Sequence, residues 1–138
     1  MIDHIIINRT LNIKQLVENK SYFLFGPRGI GKSSLIKHNI GDQALIVDLL
    51  RSAIYIRLMN NPSQLESMIA LDQKPVVVID EIQRVPELLN EVHRLIEKNQ
   101  TRFLLTGSSV RKLKKQGVNL LAGRARREKR YYFYLIFF

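Results

Sequence analysis

The segment Gly26-Pro27-Arg28-Gly29-Ile30-Gly31-Lys32-Ser33 carries the spacing G-x-x-x-x-G-K-S. Each residue type in it has a physical use. Glycines reach positive φ and let a backbone wrap closely around an anion. Successive backbone N–H groups then form a concavity for phosphate oxygens, reinforced by the N-terminus of a following helix. Lys32 is expected to set its ammonium on the β- and γ-phosphates of a nucleoside triphosphate, and the Ser33 hydroxyl to join the shell of Mg²⁺. ATP with Mg²⁺ is the ligand pair this loop predicts. The plainer alternative is a glycine-rich turn with an exposed lysine, and the passage from strand to helix argues against it.

A second group of residues completes such a site. The apolar run Val76-Val77-Val78-Ile79 ends on Asp80-Glu81. Carboxylates at the C-terminal end of a buried parallel strand lie beside the loop that follows the first strand. Asp80 is therefore the candidate partner of Mg²⁺, usually through a water. Glu81 is the candidate to orient or deprotonate an attacking water. Leu104-Leu105-Thr106-Gly107-Ser108-Ser109 closes a further strand. If that strand lies between those bearing the loop and the carboxylates, Thr106 or Ser108 faces the γ-phosphate. Ser108 and Ser109 suit a helix cap equally well.

The elements needed to hold these residues are legible as alternating strands and helices. Tyr22 to Phe25, Ala44 to Val47, Val76 to Ile79 and Arg102 to Thr106 read as strands. The β-branched run at 76–79 is apolar on both faces, as inside a parallel sheet. Leu11 to Asn19 has a short helical spacing, and a helix begins at Lys32. Ser63 with Glu66 matches a capping box ahead of Leu65, Met68 and Ile69. Pro86 suits the start of a helix that aligns Leu88, Val92, Leu95 and Ile96. Ser108 or Ser109 can begin a basic helix ending near Gly117. Helices between apolar strands indicate βαβ crossovers over one covered, mostly parallel sheet, an α/β fold.

Composition bounds the rest. The chain has 138 residues, 46% hydrophobic and 25% charged, and no cysteine. That suits one globular domain and excludes disulfides, cysteine-ligated zinc and a catalytic thiol. No apolar stretch approaches the roughly 20 residues of a membrane span, and a cytoplasmic protein without membrane contact is the expectation. His4, His38 and His93 lack ligand spacing. The net charge of +10 is concentrated between Arg111 and Arg130, where nine basic residues face the single acid Glu128. Such a segment can attract nucleic-acid phosphates, or it can be a solvated basic face.

Taken together, Gly-Pro-Arg-Gly-Ile-Gly-Lys-Ser at 26–33, Val-Ile-Asp-Glu-Ile-Gln-Arg-Val-Pro at 78–86, Leu-Leu-Thr-Gly-Ser-Ser at 104–109 and Leu-Leu-Ala-Gly-Arg-Ala-Arg at 120–126 resemble the AAA-type ATPases whose C-terminal half is a DUF4143 domain. The resemblance implies a three-layer P-loop fold with strand order 5-1-4-3-2. It implies nucleotide on Gly29 to Ser34 (Ser34 included), Mg²⁺ on Ser33 and Asp80, and the catalytic carboxylate on Glu81. It also suggests Arg124 as an arginine finger toward a neighbouring copy in a homo-oligomer, or else as a plain member of the basic cluster.

The pattern of that family breaks near the end. Residues 131–138 read Tyr-Tyr-Phe-Tyr-Leu-Ile-Phe-Phe where a fifth strand and further domains are expected. The expected organisation is an ATPase core over 1–130 without a lid, an aberrant aromatic tail over 131–138, and no DUF4143-type domain. A frameshifted or truncated copy of a longer gene is one account. The other is that Tyr131 to Tyr134 replaces the fifth strand beside the first. Three functional readings stand at this point: an ATP-hydrolysing domain, a nucleic-acid-binding module regulated by nucleotide, and a gene remnant that only binds ATP.

Overall fold

The computed structural model describes residues 4–7, 12–18, 20–26, 31–108 and 131–136. The elements run β1 (His4–Ile7), α1 (Ile13–Leu16), β2 (Ser21–Phe25), α2 (Lys32–Ile40), a 3₁₀ turn (Gly41–Gln43), β3 (Ala44–Asp48), α3 (Ser52–Asn60) and α4 (Gln64–Asp72). They continue with β4 (Val76–Asp80), a second 3₁₀ turn (Ile82–Arg84), α5 (Leu88–Asn99), β5 (Arg102–Gly107) and β6 (Tyr131–Ile136). The strands form one sheet in the order β1-β6-β2-β5-β4-β3, every neighbouring pair parallel. The predicted order 5-1-4-3-2 is contained in it as β6-β2-β5-β4-β3. The aromatic segment is thus the fifth strand of that order, hydrogen-bonded on one side to β2 and on the other to β1.

Period-two alternation along these strands feeds two apolar layers. Phe23, Phe25, Val77, Ile79, Phe103 and Leu105 pack with Leu58, Leu65 and the buried stripe Leu88, Leu89, Val92, Leu95 and Ile96 of α5. Leu24, Val76, Val78 and Leu104 point the other way, onto Ile13 and Val17 at α1 and Ile36 and Ile40 of α2. Each fully buried side chain of this kind contributes about 1.5–3 kcal/mol. Strands apolar on both faces are therefore held from two sides, and the ends of β2, β4 and β5 become a rigid platform.

Two elements go beyond the sequence reading. β1 is four residues long, too short for a secure periodicity. α3 buries only Leu58 fully, while Ile56 and Met59 remain 54% and 40% exposed, so its apolar residues mark no single face. Two local expectations, the capping box and the start at Pro86, are corrected. Ser63 makes no side-chain cap bond; its hydroxyl donates to Asn61 Oδ1. Glu66 is drawn instead to Arg94 and Lys98, whose two cations outbid a backbone N–H for its carboxylate. Pro86 lies in the turn before α5, accepting from Leu89 N–H, rather than in the helix itself.

Candidate functional site

The C-terminal ends of β2, β5, β4 and β3 gather the predicted chemistry. Register sets Phe25 beside Gly107, Ile79 beside Leu105 and Asp48 beside Asp80. Beyond β2 the chain passes Gly26 and re-enters the described structure at Gly31. Gly31 has φ +85 and ψ 20, the left-handed conformation that suits glycine, directly before the first residue of α2. A Cβ built there would meet nothing within 4 Å. The need for glycine at 31 is thus conformational.

Among the described residues Lys32 is the most buried lysine, at 6% exposure. Its Nζ donates to the carbonyl oxygens of Gly26 at 2.6 Å and Gly107 at 2.7 Å. Gly107 O also accepts from Gly26 N–H at 3.1 Å, so one carbonyl ties together β2, β5 and the helix entrance. A buried ammonium is tolerated because oxygens surround it. Ser33 Oγ donates to Asp80 Oδ2 at 3.0 Å. The other carboxylate oxygen, Oδ1, accepts from Thr106 Oγ1 at 2.5 Å, and Thr106 Oγ1 in turn accepts from Glu81 N–H at 3.2 Å. Thr106 is fully buried and bridges the two acidic residues. β5 does lie between β2 and β4, the condition on which a site role for Thr106 depends.

Glu81 leaves β4 in the left-handed region, at φ 63 and ψ 52. For a residue with a Cβ this costs about 1 kcal/mol or more. The turn is held by Thr106 Oγ1 at its N–H and by Arg84 N–H at its carbonyl. Its side chain is buried, and Gln83 Nε2 donates to its Oε2. Gln83 and Gly107 are site residues that reading by residue type passes over. The available signal for Gln83 was an amide next to Ile82 and two positions before Val85, both fully buried.

Ser34 is exposed on the first turn of α2 and makes none of these contacts. Ser108 accepts from Gln83 Nε2 at 3.3 Å, so its side chain turns toward the site. Pro27, Arg28, Gly29, Ile30, Ser109, Arg124, the basic segment 111–130 and its expected helix lie outside the described residues. Ser33 Oγ and Asp80 Oδ2 are hard oxygen donors of the kind Mg²⁺ takes in ones and twos, its other positions going to phosphates and water. Among the described residues no group of three or more His, Cys, Asp or Glu could cage a metal by itself. The donor set fits Mg²⁺ held together with a phosphate ligand. Also among the described residues, no helix is long and apolar enough to cross a membrane.

No curated protein matches the chain. Among solved structures it is similar to a DNA replication initiation factor, with a TM-score of 0.54 and 13% identity. The similarity covers 88% of this chain and 43% of that one, so the chain spans less than half of that protein's length. At such identity the likeness is one of fold. A family model described as an AAA domain matches residues 18–135, a span that contains β2, α2, β4, β5 and every described residue of the site. With most of its length matched and the mostly parallel α/β sheet in place, the chain belongs to the AAA domain family AAA_14, within the P-loop ATPase superfamily.

Proposed function

We propose that the chain binds ATP with Mg²⁺ at the loop 26–33 and that its site is arranged for hydrolysis of the β–γ bond. The observation that carries this reading is the chain of bonds Ser33–Asp80–Thr106–Glu81, which links the metal-type donors to the backbone N–H of the acidic residue next in sequence. Lys32 exchanges its two carbonyl partners for β- and γ-phosphate oxygens. Arg28, Gly29, Ile30 and Gly31 offer backbone N–H groups to the phosphates, Pro27 having none and the Gly26 N–H being held by Gly107 O, and Lys32, Ser33 and Ser34 follow on the helix N-terminus. Ser33 and Asp80 would hold Mg²⁺, which would supply positive charge to offset that of the phosphates. Glu81 accepts the proton of the attacking water. Thr106 keeps Asp80 and Glu81 in register and senses the γ-phosphate. Arg124 acts toward a neighbouring copy in the same reading. Pairing with a DUF4143 domain rests on the motif resemblance alone.

Titration with Mg-ATP and Mg-GTP, following thermal stability and phosphate release together, tests this. Mg-ATP is expected to raise the melting temperature and to be split; Lys32→Ala binding Mg-ATP as tightly as the parent overturns the site. A second reading is favoured by the charge of the segment 111–130, nine basic residues to one acid. Contact with DNA or RNA through it would weaken steeply with salt. Absence of binding at low salt removes it.

A further inference from the structure

Gln83 is 5% exposed, yet an amide is a demanding group to bury. Its Nε2 donates to Glu81 Oε2 and reaches Ser108 Oγ at 3.3 Å. Its Oε1 is buried with no hydrogen-bond partner. That oxygen stands 2.8 Å from where a Cβ on Gly107 would be, so the pose of Gln83 depends on the absence of a side chain at 107. A leucine would fill the same volume without stranding an acceptor. Packing therefore gives no reason for the amide. What the amide adds is a donor, and among the described residues it is the only side-chain donor to the carboxylate of Glu81. That carboxylate is itself 4% exposed on a left-handed backbone, where few solvent contacts can fix its rotamer.

We infer that Gln83 is a positioning residue for Glu81. Its N–H holds Oε2 of the carboxylate, leaving Oε1 to accept the proton of the attacking water. Through Ser108 it ties that orientation to the tip of β5. The inference rests on the reading of Glu81 as the carboxylate beside the water.

The deciding experiment is a double-mutant cycle on the nucleotide-free protein with Gln83→Leu and Glu81→Ala, measured by urea unfolding. The two changes remove one shared interaction, so their effects on the unfolding constant are expected to depart from additivity by about fivefold or more. Additivity within about twofold overturns the inference. Should Gln83→Leu not fold, Gln83→Met, also without a donor, takes its place in the cycle. A second measurement separates positioning from packing. Phosphate release at saturating Mg-ATP is expected to fall at least about tenfold in Gln83→Leu, with Mg-ATP affinity within about twofold of the parent. Equal loss of both marks a packing role and overturns it. A parent that binds Mg-ATP without releasing phosphate defeats the proposed hydrolysis instead, and the cycle still decides the role of Gln83.

Discussion

Ser33 Oγ and Asp80 Oδ2 meet at 3.0 Å, joining the first turn of α2 to the tip of β4 across 47 positions of sequence. In the proposed site both oxygens take Mg²⁺, so its affinity there would depend on each. Asp80→Asn and Ser33→Ala are each expected to weaken the Mg²⁺-dependent part of ATP binding by roughly tenfold to a hundredfold, the scale of one lost charge-assisted contact. ATP titrations with and without Mg²⁺ check this. A variant that loses binding equally in both series speaks against a metal role.

Lys32 can be shortened of its charge while keeping its stem. Lys32→Met is expected to lower the ligand-free stability by only about 1–3 kcal/mol, because Gly107 O keeps its bond from Gly26 N–H while Gly26 O loses the ammonium. The stabilisation by Mg-ATP is expected to vanish in the variant, whereas a parent at a hundred times its dissociation constant gains about 2.7 kcal/mol. Differential scanning fluorimetry with a ligand series reads both.

Gly107→Ala places a methyl 2.8 Å from Gln83 Oε1 and 3.1 Å from the ring of Phe25. The amide can swing away; Phe25 is stacked on Phe23 in the core, ring centroids 5.5 Å apart, and yields less. A loss of about 1–3 kcal/mol is expected, as for other overpacked sites. Chemical denaturation measures it, and an unchanged midpoint contradicts the contact.

Away from the site, Glu66 accepts from Arg94 at 2.8 Å and Lys98 at 2.9 Å, bridging α4 and α5. The hydrogen bonds from Arg94 and then Lys98 hold its carboxyl below the usual glutamate range. A depressed carboxyl contributes stability that is complete above its unfolded value and lost as pH falls through the folded one. The melting points of the parent and Glu66→Gln are therefore expected to differ slightly at neutral pH, to converge in acid below the usual glutamate range, and to converge also in high salt, since the side chain is partly exposed. A gap that persists at low pH excludes this cause.

Much of the fold was legible because buried parallel strands announce themselves. Val76 to Ile79 is apolar at every position, and β5 shows Phe103, Leu104 and Leu105 in a row. Punctuation was the weaker signal. Helices α4 and α5 end on Gln73 and Gln100, both in the left-handed conformation where glycine is the usual marker. Of the site, Gly31, Lys32, Ser33 and Asp80 follow from motif spacing, and the structure brings the last two into contact. Gln83 and Gly107 matter through a side-chain amide and a backbone carbonyl, neither of which residue type alone reveals. Residues 131–136 looked aberrant as a sequence because an all-apolar terminus resembles an exposed hazard. Paired with β2 on one side and β1 on the other, the segment has both backbone edges occupied.

The place of β6 also dictates the order in which the molecule can be assembled. Among the described strands, β1 has one neighbour in the sheet, and that neighbour is β6. During synthesis His4–Ile7 emerges before the other described strands, and the strand it pairs with, Tyr131–Ile136, is made after all of them. β2, β5, β4 and β3 can pair earlier, around sequence already available. Closure of the β1-β6-β2 half is therefore a late, long-range step, slow by its topology. Until it happens, the flank of β2 is an unpaired edge on which a nascent chain is most open to chaperones and to misassociation.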